Sequence, residues 1–327
     1  MIDRIGQLFI TGYEGETPSE DYLAFLERQN PGGIILFEEN CNPHSRAESS
    51  LQKISARTNV PPFIAVDQEG GRVCRFRGVP AEYGAPSDYA EHDKIDLYAE
   101  HFSRSAYYLR SLGINLLLGP VADLNLNRDN QCLQGRTFGS QSSRVIPFIE
   151  RTIKIAHKAG LLTCTKHFPG LGAAKLDPHE ELVSADYTYQ TFLNRESFTF
   201  QAAVRSGSDM IMTTHLLLPS LDNYPATISQ VVVEKLLRET LAFDGIVITD
   251  DLLMKGADRF GNHGERAFKA FHAGHDILLF GRNYRAADEA IQYFKQAYRK
   301  GLLDSDRLRS SLNRISGIKS KLTASVV

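Results

Sequence analysis

Short apolar runs recur along the chain, each followed by a stretch in which apolar positions return every three or four residues. The runs span Leu8 to Gly12, Gly33 to Phe37, Phe63 to Val66, Ile114 to Leu118, Leu161 to Thr165, Met210 to Thr213, Gly245 to Thr249 and Asp276 to Phe280. Their length and nearly continuous hydrophobicity predict strands buried on both faces. The stretches between them, such as Ser19 to Gln29, Val145 to Ala159, Phe192 to Ser206 and Val231 to Leu241, carry the period of amphipathic helices. Eight such strands alternating with helices predict a parallel sheet closed into an α/β (β/α)8 TIM barrel.

Polar side chains gather just after these runs: Glu38 and Glu39, Asp67, Asp123, Lys166 and His167, His215, Asp250 and Asp251, Arg282 and Asn283. In a barrel such positions converge on the C-terminal face, where barrel enzymes hold their active sites. A doubly wound open sheet would spread them along a crevice and usually carry a glycine-rich dinucleotide loop, which this sequence lacks.

The 327 residues contain no Pro/Ser/Gly-rich linker or composition break, so a single domain over 1–327 is expected. The formal net charge of −2, from 37 basic and 39 acidic side chains interspersed, gives no electrostatic case for nucleic acid or an anionic membrane. A small, neutral or weakly charged substrate fits better, and no obligate protein partner is evident. Cys41, Cys74, Cys132 and Cys164 form no C-x-x-C pair and are expected to be reduced thiols. The N-terminus lacks a signal-peptide pattern and no run of 18 apolar residues occurs, so a cytoplasmic location is expected.

The densest chemistry lies in Lys166-His167-Phe168-Pro169-Gly170-Leu171-Gly172 followed by Asp177-Pro178-His179. The Asp-x-His spacing lets the Asp177 carboxylate accept a proton from one imidazole nitrogen of His179 while the other faces a substrate. Asp250, where an apolar run meets its loop, can serve as nucleophile, electrostatic stabiliser or metal ligand, while Asp251 can equally cap the next helix. The loop Asp67-Gln68-Glu69-Gly70-Gly71-Arg72-Val73-Cys74-Arg75-Phe76 crowds four charges around two glycines. Asp67 can accept hydroxyl hydrogen bonds from a polyol, and Arg72 or Arg75 can donate to substrate oxygens; some of these charges are expected only to support the loop. Gln134-Gly135-Arg136 offers a further cation. Zinc motifs, a G-x-S-x-G elbow and a P-loop are all missing from the sequence, so no metal or cofactor is expected. Carboxylate and histidine chemistry on a neutral polyol remains, the setting of glycosyl transfer.

Taken together, these motifs resemble the family 3 glycoside hydrolases, specifically the NagZ-type β-N-acetylglucosaminidases. The resemblance runs from Ile5-Gly6-Gln7-Leu8-Phe9 through Gly32-Gly33-Ile34-Ile35-Leu36-Phe37, the Asp-Gln-Glu-Gly-Gly-Arg loop and Lys-His-Phe-Pro-Gly to Thr249-Asp250-Asp251-Leu252 and Met254-Lys255-Gly256-Ala257. It implies a (β/α)8 barrel and a retaining two-step mechanism, with Asp250 as nucleophile and His179, held by Asp177, as acid/base. It also implies that Asp67, Arg75, Arg136, Lys166 and His167 bind the N-acetylglucosamine unit, with His215 supporting the pocket. Two departures from the family pattern matter, Leu171 where a histidine is usual and Pro178 where a serine is common; a third, Ser140-Gln141 in place of the usual Asp-Pro, lies farther from the proposed chemistry. Proline fixes φ and removes an N–H, so Pro178 is expected to stiffen the loop that carries His179.

The resulting expectation is an exo-acting β-N-acetylglucosaminidase, acting on peptidoglycan-derived muropeptides in cell-wall recycling. A phosphorylase releasing sugar 1-phosphate and a catalytically silent sugar-binding homologue are the alternatives. Phosphate dependence separates the first, and binding without bond cleavage the second.

Overall fold

The computed structural model describes residues 1–174 and 183–324. Eight strands form one parallel sheet: β1 (Phe9–Thr11), β2 (Gly33–Leu36), β3 (Phe63–Val66), β4 (Leu116–Leu117), β5 (Leu162–Phe168), β6 (Met210–Thr213), β7 (Ile246–Ile248) and β8 (Leu278–Phe280). Their spatial order is β7-β6-β5-β4-β3-β2-β1-β8. The two ends meet through a parallel bridge between Ile248 and Ile277, and the Thr249 hydroxyl accepts from the Leu279 amide at 3.0 Å. The sheet thereby closes into the expected (β/α)8 barrel.

Every barrel strand is buried along its whole length, as expected where helices cover the outer face. Those helices are α1 (Glu20–Gln29), α2 (His44–Ser55), α3 (Ile95–Ser111), α4 (Ser142–Lys158), α5 (Ser197–Arg205), α6 (His263–Ala273) and α7 (Tyr284–Arg299). Two expected helices are partly or wholly π-wound, Phe192–Glu196 ahead of α5 and Val231–Thr240 after β6. Their apolar spacing buries a stripe in either winding, so the pattern does not tell them apart. Side-chain caps start several helices: Ser19 accepts from the Tyr22 amide, and Asn262 forms a reciprocal capping box with Glu265. Among the described residues no helix is long and apolar enough to cross a membrane.

The expected strand ends hold to within two residues, with one informative exception. β5 continues past Thr165 to Phe168, and its register against β6 shifts between Thr165 and Phe168. Successive residues of a regular strand face opposite sides. The irregularity re-aims the chain there, and Lys166 and His167 both reach the cavity at the C-terminal mouth.

A further helix, α8 (Ser305–Ala324), is fastened to the barrel by polar contacts. Asp276, fully buried ahead of β8, accepts from Arg307 (3.1 Å), Arg314 (3.1 Å) and Ser311 (2.8 Å) of that helix, and from Arg238 (2.7 Å). Burial alone would raise its pKa, but the arginines outweigh it and hold the carboxyl below its ordinary value. Asp209, ahead of β6, accepts from Lys321 at 2.7 Å and lies 2.9 Å from His157. Lys319 is buried, donates to the Gln7 side chain at 2.8 Å and sits 5.0 Å from the centre of the Phe63 ring.

Candidate active site

The loop after β3 is organised by a buried glutamine. Gln68 accepts from the amides of Arg75 (2.8 Å) and Phe76 (3.1 Å) and donates to the Ala81 carbonyl (2.9 Å). Gly70 and Gly71 turn the short ribbon at φ of 90° and 56°, a region that side-chain-bearing residues rarely adopt. This turn presents Asp67, Glu69, Arg72 and Arg75 toward the barrel mouth.

Glu69 is the centre of the charge network. Its carboxylate takes the fork of Arg136 through Nε (2.7 Å) and Nη2 (2.8 Å), and Lys166 Nζ lies 2.7 Å away. Lys166 also donates to Asp67 at 2.6 Å, and Arg75 donates to the other Asp67 oxygen at 3.2 Å. Burial acts to raise the carboxyl pKa of both Glu69 and Asp67, yet the neighbouring cations win and hold both below the ordinary range. The same attraction, set against burial, holds Lys166 above its usual value. Two of the three ammonium protons of Lys166 go to these carboxylates, and its place on the cavity wall leaves the third for a ligand hydroxyl.

His167 forms a second unit. Asp123 Oδ2 lies 2.6 Å from His167 Nδ1 and accepts the His167 amide at 3.1 Å. A carboxylate partner assigns the ring proton to Nδ1. Nε2 then faces Arg136 Nη2 at 3.4 Å, so both ring nitrogens have protein partners.

Across the cavity, the loop after β7 carries two adjacent carboxylates that differ in their partners. Asp251 accepts from the amides of Leu253 (3.0 Å) and Gly281 (2.9 Å) and so pins the loop. Asp250 accepts only from the Asp251 amide, at 2.8 Å, among the described residues. His215 is fully buried beneath this turn, with Nδ1 2.6 Å from the Thr227 hydroxyl and Nε2 2.9 Å from the Asp251 carbonyl oxygen. It is placed to support the loop from behind and does not line the cavity.

The cavity measures about 310 Å³, at the small end for ligand pockets. Ile35, Leu118, Met212 and Leu279 give it apolar wall, and Asp67, Arg72, Arg75, Arg136, Lys166, His167, Asp250 and Asp251 supply its polar groups. All five residues expected to bind the sugar, together with Asp250, therefore meet in one cavity. Leu171 lines it as well, with its amide donating to Asp123 at 2.6 Å. Asp177, Pro178 and His179 lie outside the described residues. Among the described residues no group of three or more His, Cys, Asp or Glu side chains is arranged to hold a metal ion.

Comparison with known proteins gives the family. Residues 1–318 match the glycosyl hydrolase family 3 N-terminal domain. The chain belongs to glycosyl hydrolase family 3. This family 3 glycoside hydrolase is 31% identical over 317 residues to a β-hexosaminidase of Glaesserella parasuis, covering 97% of this chain and 91% of the relative. It is 32% identical to a secreted glycosyl hydrolase of Arthroderma benhamiae, covering 98% and 93% respectively. Among solved structures, a family 3 β-N-acetylglucosaminidase from Paenibacillus superposes with a TM-score of 0.94 at 30% identity. That match covers all of this chain but only 63% of the Paenibacillus protein.

Two functional contributors went unassigned in the sequence. Asp123 was visible as a strand-end carboxylate but had no role, and Glu69 was one charge in a crowded loop. Nothing local marks Glu69 as the partner of Arg136, which is 67 residues away.

Proposed function

We propose that this glycoside hydrolase is a retaining, exo-acting β-N-acetylhexosaminidase that removes terminal N-acetylglucosamine. The observation that carries the reading is the contrast among the cavity's carboxylates. Asp67 is held by two cations and Asp251 by two amides, whereas Asp250 has a single amide partner and faces the cavity. A carboxylate so lightly engaged is suited to attack.

In the first step an Asp250 oxygen bonds to the anomeric carbon as the glycosidic bond breaks, and His179 protonates the departing oxygen. In the second, His179 takes a proton from water, which attacks the same carbon and returns Asp250 as a carboxylate. Two inversions give retention. Asp177 orients His179 and stabilises its protonated form. His167 is the imidazole on the cavity wall among the described residues, and its commitment to Asp123 and Arg136 favours assigning the proton transfers to His179. Asp67, Arg75, Arg136 and Lys166 orient the sugar through its hydroxyls.

Arg72 bears on the leaving-group side. It lines the cavity, donates to the carbonyls of Gln131 (2.6 Å) and Cys132 (2.5 Å), and pairs with no carboxylate among the described residues. A cation left uncompensated at the wall suits an anionic aglycone, in keeping with muropeptides as substrate and cell-wall recycling as role. The same cation can meet inorganic phosphate, which keeps a phosphorylase as the second reading. The proposed location is cytoplasmic, with which the four buried free thiols are compatible.

The test is hydrolysis of para-nitrophenyl N-acetyl-β-glucosaminide by wild type and Asp250→Asn, each with and without phosphate. Free N-acetylglucosamine from wild type regardless of phosphate, with turnover lowered about 10⁴-fold or more in the variant, is expected. Sugar 1-phosphate as product would replace the hydrolase by the phosphorylase, and full activity of Asp250→Asn would remove Asp250 from the chemistry.

A further inference from the structure

We infer that Asp123 fixes the hydrogen-bond polarity of His167, so that the ring meets the sugar only as an acceptor and requires a free hydroxyl at that point. Asp123 is thereby a positioning residue that acts through His167. The inference rests on the reading of the cavity as a sugar site proposed above. It deepens that reading from which residue touches the sugar to what that residue requires of it.

The direction of each bond follows from partners that have no choice. The Asp123 side chain is fully enclosed, and both of its oxygens accept from backbone amides, Oδ1 from Leu171 at 2.6 Å and Oδ2 from His167 at 3.1 Å. A backbone N–H can only donate, so Asp123 is the accepting carboxylate, and Nδ1, 2.6 Å from the same Oδ2, carries the ring proton. On the other side of the ring Arg136 Nη2 lies 3.4 Å from Nε2. A guanidinium has no acceptor to offer, so Nε2 faces it with a lone pair. Both neighbours prescribe one tautomer, and Asp123, at the shorter distance, prescribes it more strongly.

The surroundings hold this arrangement in place. The Ala122 amide donates to the Lys166 carbonyl at 2.7 Å and the Gly170 amide to the His167 carbonyl at 2.9 Å, which fixes the backbone that carries the ring. Arg136 is held by its fork on Glu69 and by Nη1 on the Cys132 carbonyl at 3.0 Å. Its contact with Nε2 is longer than the range of about 2.7–3.2 Å usual for an N–H bond. His167 lines the cavity, so a sugar hydroxyl can bring a better-placed proton to Nε2. Among Asp67, Arg75, Arg136, Lys166 and His167, the three cations can only donate, which leaves Asp67 and His167 to accept hydroxyl protons. An acceptor fixed in this way rejects a sugar whose hydroxyl is missing or replaced by fluorine, because its lone pair then faces a carbon or another lone pair.

Two measurements test the assignment. The nitrogen NMR spectrum of the imidazoles at neutral pH, with His167→Gln to assign the resonances, is expected to show His167 of the wild type protonated at Nδ1 and bare at Nε2. Asp123→Ala is expected to lose that preference. A proton on wild-type Nε2, or an unchanged tautomer in Asp123→Ala, would overturn the inference. In the second, deoxy and deoxyfluoro analogues at each free hydroxyl of an aryl N-acetyl-β-glucosaminide are hydrolysed by wild type and by His167→Ala. Dividing each analogue's loss of kcat/KM in wild type by its loss in His167→Ala cancels the inductive slowing that fluorine brings to both enzymes. At one position the quotient is expected to reach about fivefold or more for the deoxy sugar and to be at least as large for the fluoro sugar. A fluoro quotient well below the deoxy quotient would make the ring a donor, and quotients near one at every position would remove the bond; either result sinks the inference. Should Asp123→Ala fail to fold, the wild-type spectrum and the His167→Ala comparison still decide the polarity. Absence of turnover of the unmodified glycoside by wild type would remove the function proposed above and this inference with it, whereas normal turnover with quotients near one would remove this inference alone.

Discussion

The two ends of the barrel use the same ingredients, buried carboxylates among arginines and lysines, to different ends. At the end from which β6 and β8 enter, Asp276 is fully buried and enclosed by three arginines, a serine and the Val247 amide. At the mouth, Asp67 and Lys166 are paired just as closely but lie on the wall of a 310 Å³ cavity. A charge whose partners are all protein groups can only hold the fold together. One that keeps an unused donor or acceptor toward a cavity can also recognise a ligand. Enclosure, rather than the presence of ion pairs, distinguishes the fastening from the site.

That contrast is breakable. The largest effect is expected from Asp276→Asn, which leaves three arginines facing a neutral side chain and should lower unfolding free energy by about 3–5 kcal/mol, measured by urea titration. Turnover at a temperature where the variant is folded should stay near wild type. Because the arginines hold the Asp276 carboxyl below its unfolded value, its contribution is present above the ordinary carboxylate range and is lost as pH falls through the folded-state pKa. Wild-type unfolding should show that acid loss, and the variant should lack it.

Lys166→Met is the matching change at the mouth. It removes the donor shared by Asp67 and Glu69, and kcat/KM on an aryl N-acetylglucosaminide should fall on the order of 10²- to 10³-fold. With the ammonium gone, Asp67 is left buried with Arg75 as its remaining cation, so the pKa of Asp67 should rise and the acid limb of the pH profile should move upward. A variant that melted earlier yet turned over normally would place Lys166 with the fastenings and undo the contrast.

The smallest effect has the opposite sign. Burial depresses Lys319 from 10.5 to about 7, with no carboxylate to offset it. Between those values the unfolded chain holds a proton that the folded chain has released, so stability rises with pH across the window. Lys319→Met should raise unfolding free energy at pH 7 by about 1–2 kcal/mol and flatten that slope. A destabilised variant would show that the bond to Gln7 and the contact with Phe63 outweigh the burial of the amine.

The barrel itself was legible because its signal is local: each apolar run reports its own strand, and eight of them leave few architectures. Asp67, Lys166, His167 and Asp250 were legible as strand-end polar groups, again a local feature, whereas Arg72, Arg75 and Arg136 stood only as cations in glycine-containing loops. Their division of labour was not. Asp250 and Asp251 are adjacent and chemically identical, and only the amides of Leu253 and Gly281 separate the pinned carboxylate from the available one. Gly281 is 30 residues farther on. His167 lines the cavity as expected, and nothing nearby in sequence shows that Asp123 and Arg136 engage both its nitrogens. The extension of β5 past Thr165 was missed for a related reason, since Lys166 and His167 read as a polar loop until the irregular pairing with β6 is seen.

The bond between Lys319 and Gln7 spans 312 residues. During synthesis, Gln7 is made 312 residues before Lys319 and waits for α8, which at about 5–20 residues per second arrives some tens of seconds later. Until then Asp276 lacks two of its three arginines and Asp209 lacks Lys321. A growing chain thus carries Asp209 for 112 residues, and Asp276 for up to 38, before α8 brings their remaining partners together as it docks.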